Sequence, residues 1–189
     1  MLKKTQNAYI GSPVEFVQNN IGWMLAVATR ILRDADLAQD AVQLAFVQIF
    51  KNINKFEGRS KLRSWMHRIT VNEALMLLRK VNRVKETSID HLLPEFDQSG
   101  CRIDDTLISD QSSEISLNTK QTSDLVREKI NELPERYRIV LILRDMEGYS
   151  TVEVAEMLDL TQANTKMRLH RSRAALKKLL DPYMDGGLI

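Results

Sequence analysis

The chain has a single cysteine, Cys101, among 189 residues. One thiol excludes an internal disulfide and any site built from several cysteines, and it fits a reducing compartment. Only 7 glycines and 4 prolines occur, too few for the many turns of an all-β fold, so helices are expected. The three histidines, His67, His91 and His170, are dispersed. None has a second histidine or cysteine at ligand spacing, so no metal site is expected. The longest apolar block, Trp23–Ala28, falls far short of the ~20 residues that span a bilayer. Lys3 and Lys4 are not followed by an apolar run, so no secretion signal is read and a cytoplasmic protein is expected. There is no glycine-rich phosphate loop and no serine elbow. The acids gather where nothing would hold a catalytic geometry. An enzyme, a cofactor and a small-molecule substrate are therefore not expected.

What is present is an uneven distribution of charge. The composition is 43% hydrophobic and 28% charged, a globular balance. The formal net charge is only +2, yet the cations are concentrated. Residues Gln162 to Lys178 carry Lys166, Arg168, Arg171, Arg173, Lys177 and Lys178 and no acid. Arg59 to Lys85 carry eight basic residues against one acid, Glu73. Between them, Glu86 to Asn118 hold eight acids and one basic residue, Arg102. Two basic blocks far apart in sequence suggest one anionic polymer held at two points, with DNA the obvious candidate. The acidic stretch reads as a flexible linker over 86–120 between domains at 10–85 and 121–182. It could be merely solubilising, or it could imitate nucleic acid in a basic channel.

The C-terminal block has the clearest local signature. Ser150 and Glu153 form a capping-box start, and Val152, Ala155 and Leu158 follow at helical spacing. Asp159 breaks the run, and Thr161 caps a second helix. A turn of about three to four residues makes two helices cross steeply, as in a helix-turn-helix. The second helix then offers amide and guanidinium donors for base edges and cations for phosphates. A helix from about Thr122 to Leu133 and another over Glu135–Met146 precede the motif, with Val140, Leu141, Leu143 and Met146 as core. Asp181-Pro182 is expected to stop the last helix.

The N-terminal block reads as three helices. The first starts at Ser12-Pro13 and ends near Arg33, with Phe16, Ile21, Met24, Val27 and Ile31 as its buried face. The second runs from Asp34 or Asp36 to about Asn54. It buries Val42, Ala45, Phe46, Ile49, Phe50 and Ile53 and presents Asp36, Asp40, Gln43 and Val47 on another face. That face is either solvated or docks a basic helical partner. A loop around Phe56–Ser60 leads to a third helix, about Lys61 to Arg79, with Leu62, Trp65, Met66, Ile69 and Leu77 as its stripe. Arg68 and Asn72 lie on its polar face, while Trp65 reads as core rather than as a base-stacking platform.

These residues carry a resemblance. Leu133-Pro134-Glu135-Arg136-Tyr137-Arg138, Leu143 to Ser150 and Lys166 to Arg173 resemble the C-terminal promoter-binding domain of bacterial RNA polymerase sigma factors, most closely the extracytoplasmic-function class. Asp40-Ala41-Val42-Gln43 with Phe46, Phe56-Glu57-Gly58, and Leu62 to Ile69 with Asn72 resemble the N-terminal domain of the same family, in the same order. The resemblance implies an all-α protein of two small helical domains joined by a flexible acidic linker. It implies docking on core polymerase through Asp36, Asp40 and Gln43, and capture of the melted −10 strand by Phe56, Lys61, Arg63, Arg68 and Asn72. It further implies reading of the −35 duplex by Gln162, Asn164, Lys166, Arg168 and Arg171. Core RNA polymerase and promoter DNA are then the partners, an anti-sigma protein is a further one, and the free chain is a monomer. A stand-alone helix-turn-helix regulator that dimerises on a palindrome is the competing reading, and a nucleic-acid enzyme is a third. The regulator leaves the second basic block unexplained, and the enzyme lacks any ligand or nucleophile cluster.

Overall fold

The computed structural model describes residues 11–58, 60–81 and 120–184. The acidic stretch, Cys101 and Arg59 lie outside the described residues. The chain divides into two compact units, Met1–Lys85 and Glu86–Ile189. Among the described residues every regular element is helical.

The first unit packs α1 (Pro13–Leu32), α2 (Ala35–Asn52) and α3 (Leu62–Val81), each against both others. Pro13 stands at the start of α1, where its missing N–H costs nothing. The helix ends at Arg33 in the left-handed conformation, with φ 58°. Asp34 then starts α2, its Oδ1 accepting the N–H groups of Asp36 and Leu37, both at 2.9 Å. So tight a turn folds α2 back along α1, and Phe16 meets Phe50 with ring centroids 5.9 Å apart. The core contains Met24, Val27, Ala28 and Ile31 of α1 with Ala38, Ala41, Val42, Ala45 and Ile49 of α2. Ile21, expected on the buried face, is 39% exposed. A broad face drawn through five apolar residues was wider than the strip that two neighbouring helices cover.

The third helix is rotated from its expected phase. Its buried line is Met66, Thr70, Val71, Ala74, Leu75 and Leu78, whereas Leu62, Trp65, Ile69 and Leu77 are half-buried at the edge. A threonine and an alanine carry the centre of that line, and hydropathy discounts both. The hydroxyl of Thr70 is satisfied by donating to the Met66 carbonyl at 3.0 Å, so it can sit in the core without cost from an orphaned group.

The second unit is built from α4 (Lys120–Glu132), α5 (Glu135–Leu141), α6 (Thr151–Leu158) and α7 (Gln162–Met184). Helix α5 is buried from Tyr137 through Leu141, the signature of a helix surrounded by its unit. It does not continue regularly to Met146. Residues Ile142–Met146 form a π turn, with the Glu147 N–H donating to the Ile142 carbonyl at 2.9 Å. The wider turn keeps Ile142 and Leu143 inside and leaves Met146, expected in the core, 40% exposed. Gly148 follows at φ 75°, a conformation that suits glycine because it has no Cβ.

Pro182 does not end α7, which runs to Met184. The last turn is held from outside. The Tyr183 ring lies over the Lys129 ammonium at 5.1 Å, and Lys129 also donates to Glu132 at 2.7 Å. The bonds to Glu132 and Tyr183 hold the lysine proton more tightly than usual. No helix among the described residues is long and apolar enough to cross a membrane.

Candidate nucleic-acid interface

The α6–α7 pair is set by three local devices. Ser150 Oγ accepts the Glu153 N–H at 3.3 Å, and Glu153 Oε2 accepts the Ser150 N–H at 2.9 Å, a reciprocal capping box. Asp159 ends α6 in the left-handed region at φ 54°, ψ 49°. There the Leu160 N–H reaches back to the Ala155 carbonyl at 2.9 Å, the six-to-one bond of a Schellman turn. Thr161 Oγ1 then accepts the Asn164 N–H at 3.2 Å and starts α7.

The packing fixes which side of α7 faces outward. Thr165, Leu169, Ser172 and Ala175 are its buried residues. The Thr165 hydroxyl donates to the Thr161 carbonyl at 3.1 Å and Ser172 to Leu169 at 2.8 Å, so both buried hydroxyls are satisfied. Gln162, Asn164 and Lys166 are exposed, and Arg168 and Arg171 are half-buried. Asn164 and Arg171 stand seven residues apart, two turns along one line. Arg168 sits nearer the buried edge. Ala163, Met167 and His170 are exposed on the same outward side, though neither charge nor amide chemistry marks Ala163 and Met167 as DNA-contacting. Helical phase, anchored on Thr165 and Leu169, would have found them. Val152, expected to pack inward from α6, is 47% exposed, because Val154, Ala155 and Met157 face the core instead.

Arg173 is tied into the unit. Its Nε donates to Asp145 Oδ2 at 2.9 Å and its Nη2 to Asp145 Oδ1 at 2.6 Å. These bonds raise the guanidinium pKa above its usual range. Asp145 belongs to the π turn, and its neighbour Arg144 donates to the Tyr149 carbonyl.

In the first unit, Gly58 at φ 71° turns the loop after the Ile53–Lys55 turn. Phe56 packs on Trp65 with ring centroids 5.4 Å apart. Beside them lies a cavity of about 400 Å³ lined by Gln48, Asn52, Lys55, Trp65, Ile69, Asn72 and Glu73. Trp65 is therefore a half-buried wall of a cavity rather than part of the closed core. Lys61, Arg68 and Asn72 fall at helical spacing on the side of Trp65, all three exposed. Arg63 is carried to the other side of α3, its guanidinium 5.0 Å from the Trp23 ring. His67 stacks on that ring at 6.0 Å, and the indole N–H donates to Asn20 at 3.0 Å. The structure thus groups Phe56, Lys61, Arg68 and Asn72 and separates Arg63, which Trp23 braces. Gln48, Asn52 and Glu73 are polar residues of the cavity that no motif in the sequence marks.

On α2, Asp36, Asp40, Gln43 and Val47 are all exposed along one side. Leu44, 43% exposed, adds an apolar contact beside them.

Comparison with known proteins gives this arrangement its context. Residues 16–84 match the family described as Sigma-70 region 2, and residues 123–176 match Sigma-70, region 4. The RNA polymerase sigma factor SigZ of Bacillus subtilis (strain 168) is 31% identical over 150 residues, covering 79% of this chain and 76% of that one. The chain belongs to the RNA polymerase sigma factors. Its similarity to the ECF RNA polymerase sigma factor SigW of Bacillus subtilis (strain 168), 28% identical over 157 residues and covering 80% and 79% of the two chains, places it in the extracytoplasmic-function class. Two solved structures share the fold. One is the sigma factor RpoE in complex with the anti-sigma factor NepR from Bartonella quintana, with a TM-score of 0.53, 21% identity, and 88% and 95% of the two chains covered. The other is CnrH with the cytosolic domain of CnrY, with a TM-score of 0.50, 21% identity, and 96% and 95% covered. As a sigma factor the chain directs promoter-specific transcription by RNA polymerase. Two helical units, each with an exposed basic helix, suit that task.

Proposed function

We propose that this sigma factor holds one promoter at two places and core polymerase at a third. Helix α7 reads the −35 duplex. Gln162 and Asn164 meet base edges, while Lys166, Arg168 and Arg171 meet phosphates and edges farther along. Phe56, Lys61, Arg68 and Asn72 receive the unpaired −10 strand at the cavity beside Trp65. Arg63, braced on Trp23, meets the strand or its backbone from the other side of α3. A base seated in a preformed cavity offsets the few kcal/mol needed to unstack it, which favours melting. Asp36, Asp40 and Gln43 dock on a basic helical element of core polymerase. The acidic stretch over 86–120 joins the domains at 10–85 and 121–182 and enters the polymerase channel. The chain carries no chemistry of its own. It works in the cytoplasm as a monomer until polymerase binds, and an anti-sigma protein binds it, as NepR is bound to RpoE in the solved complex.

The observation that carries this reading is the outward side of α7. Thr165 and Leu169 fix its phase so that exposed Asn164 and half-buried Arg171 stand two turns apart along one line outside the core. The test is promoter binding by the reconstituted holoenzyme. Asn164→Ala should lose about 1–3 kcal/mol of discrimination at one base pair, whereas Arg171→Ala should weaken all promoters alike. An unchanged base preference in Asn164→Ala would remove its reading role.

A further inference from the structure

Lys166, Arg173 and Lys177 of α7, with His170 among them, stand three and four residues apart. Such spacing places them along one side of the helix. Within it, Arg173 is turned back on its own unit. Both donors on one edge of its guanidinium are committed to the two oxygens of Asp145, at 2.9 and 2.6 Å. That paired geometry is also the one by which a guanidinium grips a phosphate, so Asp145 and a DNA phosphate compete for the same edge. The bridge lies at the surface, with the arginine side chain 57% and the aspartate 32% exposed, so the competition happens where DNA can reach. Asp145 is also fixed in advance. The π turn is closed by the Glu147 N–H on the Ile142 carbonyl, and Arg144 clamps the Tyr149 carbonyl. The backbone that carries the carboxylate is therefore held in place beside the arginine.

We propose that Asp145 is a specificity-determining residue, which withholds Arg173 from DNA phosphate and so lowers sequence-independent binding relative to the base-reading contacts. The inference rests on the reading that α7 faces the duplex. Phosphate contacts add affinity for every sequence equally. One cation withheld lowers the hold on bulk DNA without touching Asn164 or Gln162. Neutralising the aspartate frees the arginine, and the domain then makes one more phosphate contact.

The test is the salt dependence of binding by the full-length chain to a labelled duplex of non-promoter sequence. Each phosphate neutralised steepens the slope of log affinity against log salt by about 0.9. Asp145→Asn should steepen it by that amount. Over a fourfold rise in salt it should lose about 3.5-fold more affinity than wild type, while binding several-fold tighter at the low-salt end. Asp145→Ala should do the same, and an unchanged far-UV spectrum shows that both remain folded. In an Arg173→Ala background the steepening must vanish. An equal gain in both backgrounds means that Asp145 acts through its own charge, and overturns the proposal. Lys166→Ala tests the underlying reading and should flatten the slope. A Lys166 effect with no Asp145 effect overturns this inference alone. A slope that Lys166→Ala does not move overturns the placement of DNA on α7, and this inference with it.

Discussion

Thr165→Val isolates one term in the stability of the DNA-reading unit. Thr165 is fully buried. Its hydroxyl donates to the Thr161 carbonyl at 3.1 Å, and the same carbonyl accepts the Thr165 N–H at 3.0 Å. Removing the hydroxyl therefore leaves no orphaned acceptor. Burying a hydroxyl costs about 1–3 kcal/mol on the scale of protein mutations, and its hydrogen bond returns about 0.5–1.5 kcal/mol. Valine removes both and adds a buried methyl worth about 0.8 kcal/mol, with no change in β-branching. One cost opposes the gain. A methyl in place of the oxygen must draw back from 3.1 Å to the roughly 3.3–3.6 Å at which carbon meets oxygen. The balance is a stabilisation of about 0.5–1 kcal/mol. Both tryptophans, Trp23 and Trp65, lie in the first unit, which gives the assay an internal control. Urea unfolding followed by far-UV circular dichroism should shift to higher denaturant, while the transition seen by tryptophan fluorescence stays in place. Thr165→Ser, which keeps the hydroxyl and deletes the methyl, should destabilise by about 1 kcal/mol. A Val variant less stable than wild type by 0.5 kcal/mol or more, taken as roughly half the mean net worth of a hydrogen bond, would refute the reasoning. It would mean that the hydroxyl bond outweighs its own desolvation.

Two further substitutions probe the turn that sets α7. Ser150→Ala removes one arm of the capping box and should cost about 1 kcal/mol, visible as a fall in the far-UV unfolding midpoint. In a Glu153→Ala background the same change should cost less, since the two bonds support each other. Strict additivity would contradict that. Asp159→Val places a branched side chain at φ 54° and should cost about 1–2 kcal/mol, whereas Asp159→Gly should be tolerated. Thermal melting of the pair checks the order, and a valine variant as stable as glycine would show that the left-handed turn is not required.

The helix-turn-helix was legible because its signals are short-range. A cap, a left-handed break and a second cap all fall within a dozen residues, from Ser150 to Thr161. The helices of the first unit were legible in number and extent for the same reason. Their phase was not. The side α3 buries depends on what α1 and α2 offer, and its centre line runs through Thr70 and Ala74, residues that hydropathy passes over. Hydropathy places Trp65 in the closed core, but the rotation makes it a cavity wall. The π turn was invisible, because nothing in Ile142–Met146 distinguishes a five-residue bond from a four-residue one. Met146 and the Asp145–Arg173 bridge follow from that turn. Pro182 was read as a stop, although Tyr183 packing on Lys129 carries the helix past it. That contact joins residues more than fifty positions apart, beyond the range of any local rule.

The most direct test of the account is initiation by core RNA polymerase with and without this chain on promoter fragments from its own genome. The account predicts transcripts that start at defined sites only when the chain is present, from a chain that alone is monomeric and binds duplex weakly. A folded chain that supports no initiation on any such promoter, or that dimerises and grips a palindromic duplex tightly without polymerase, would contradict it.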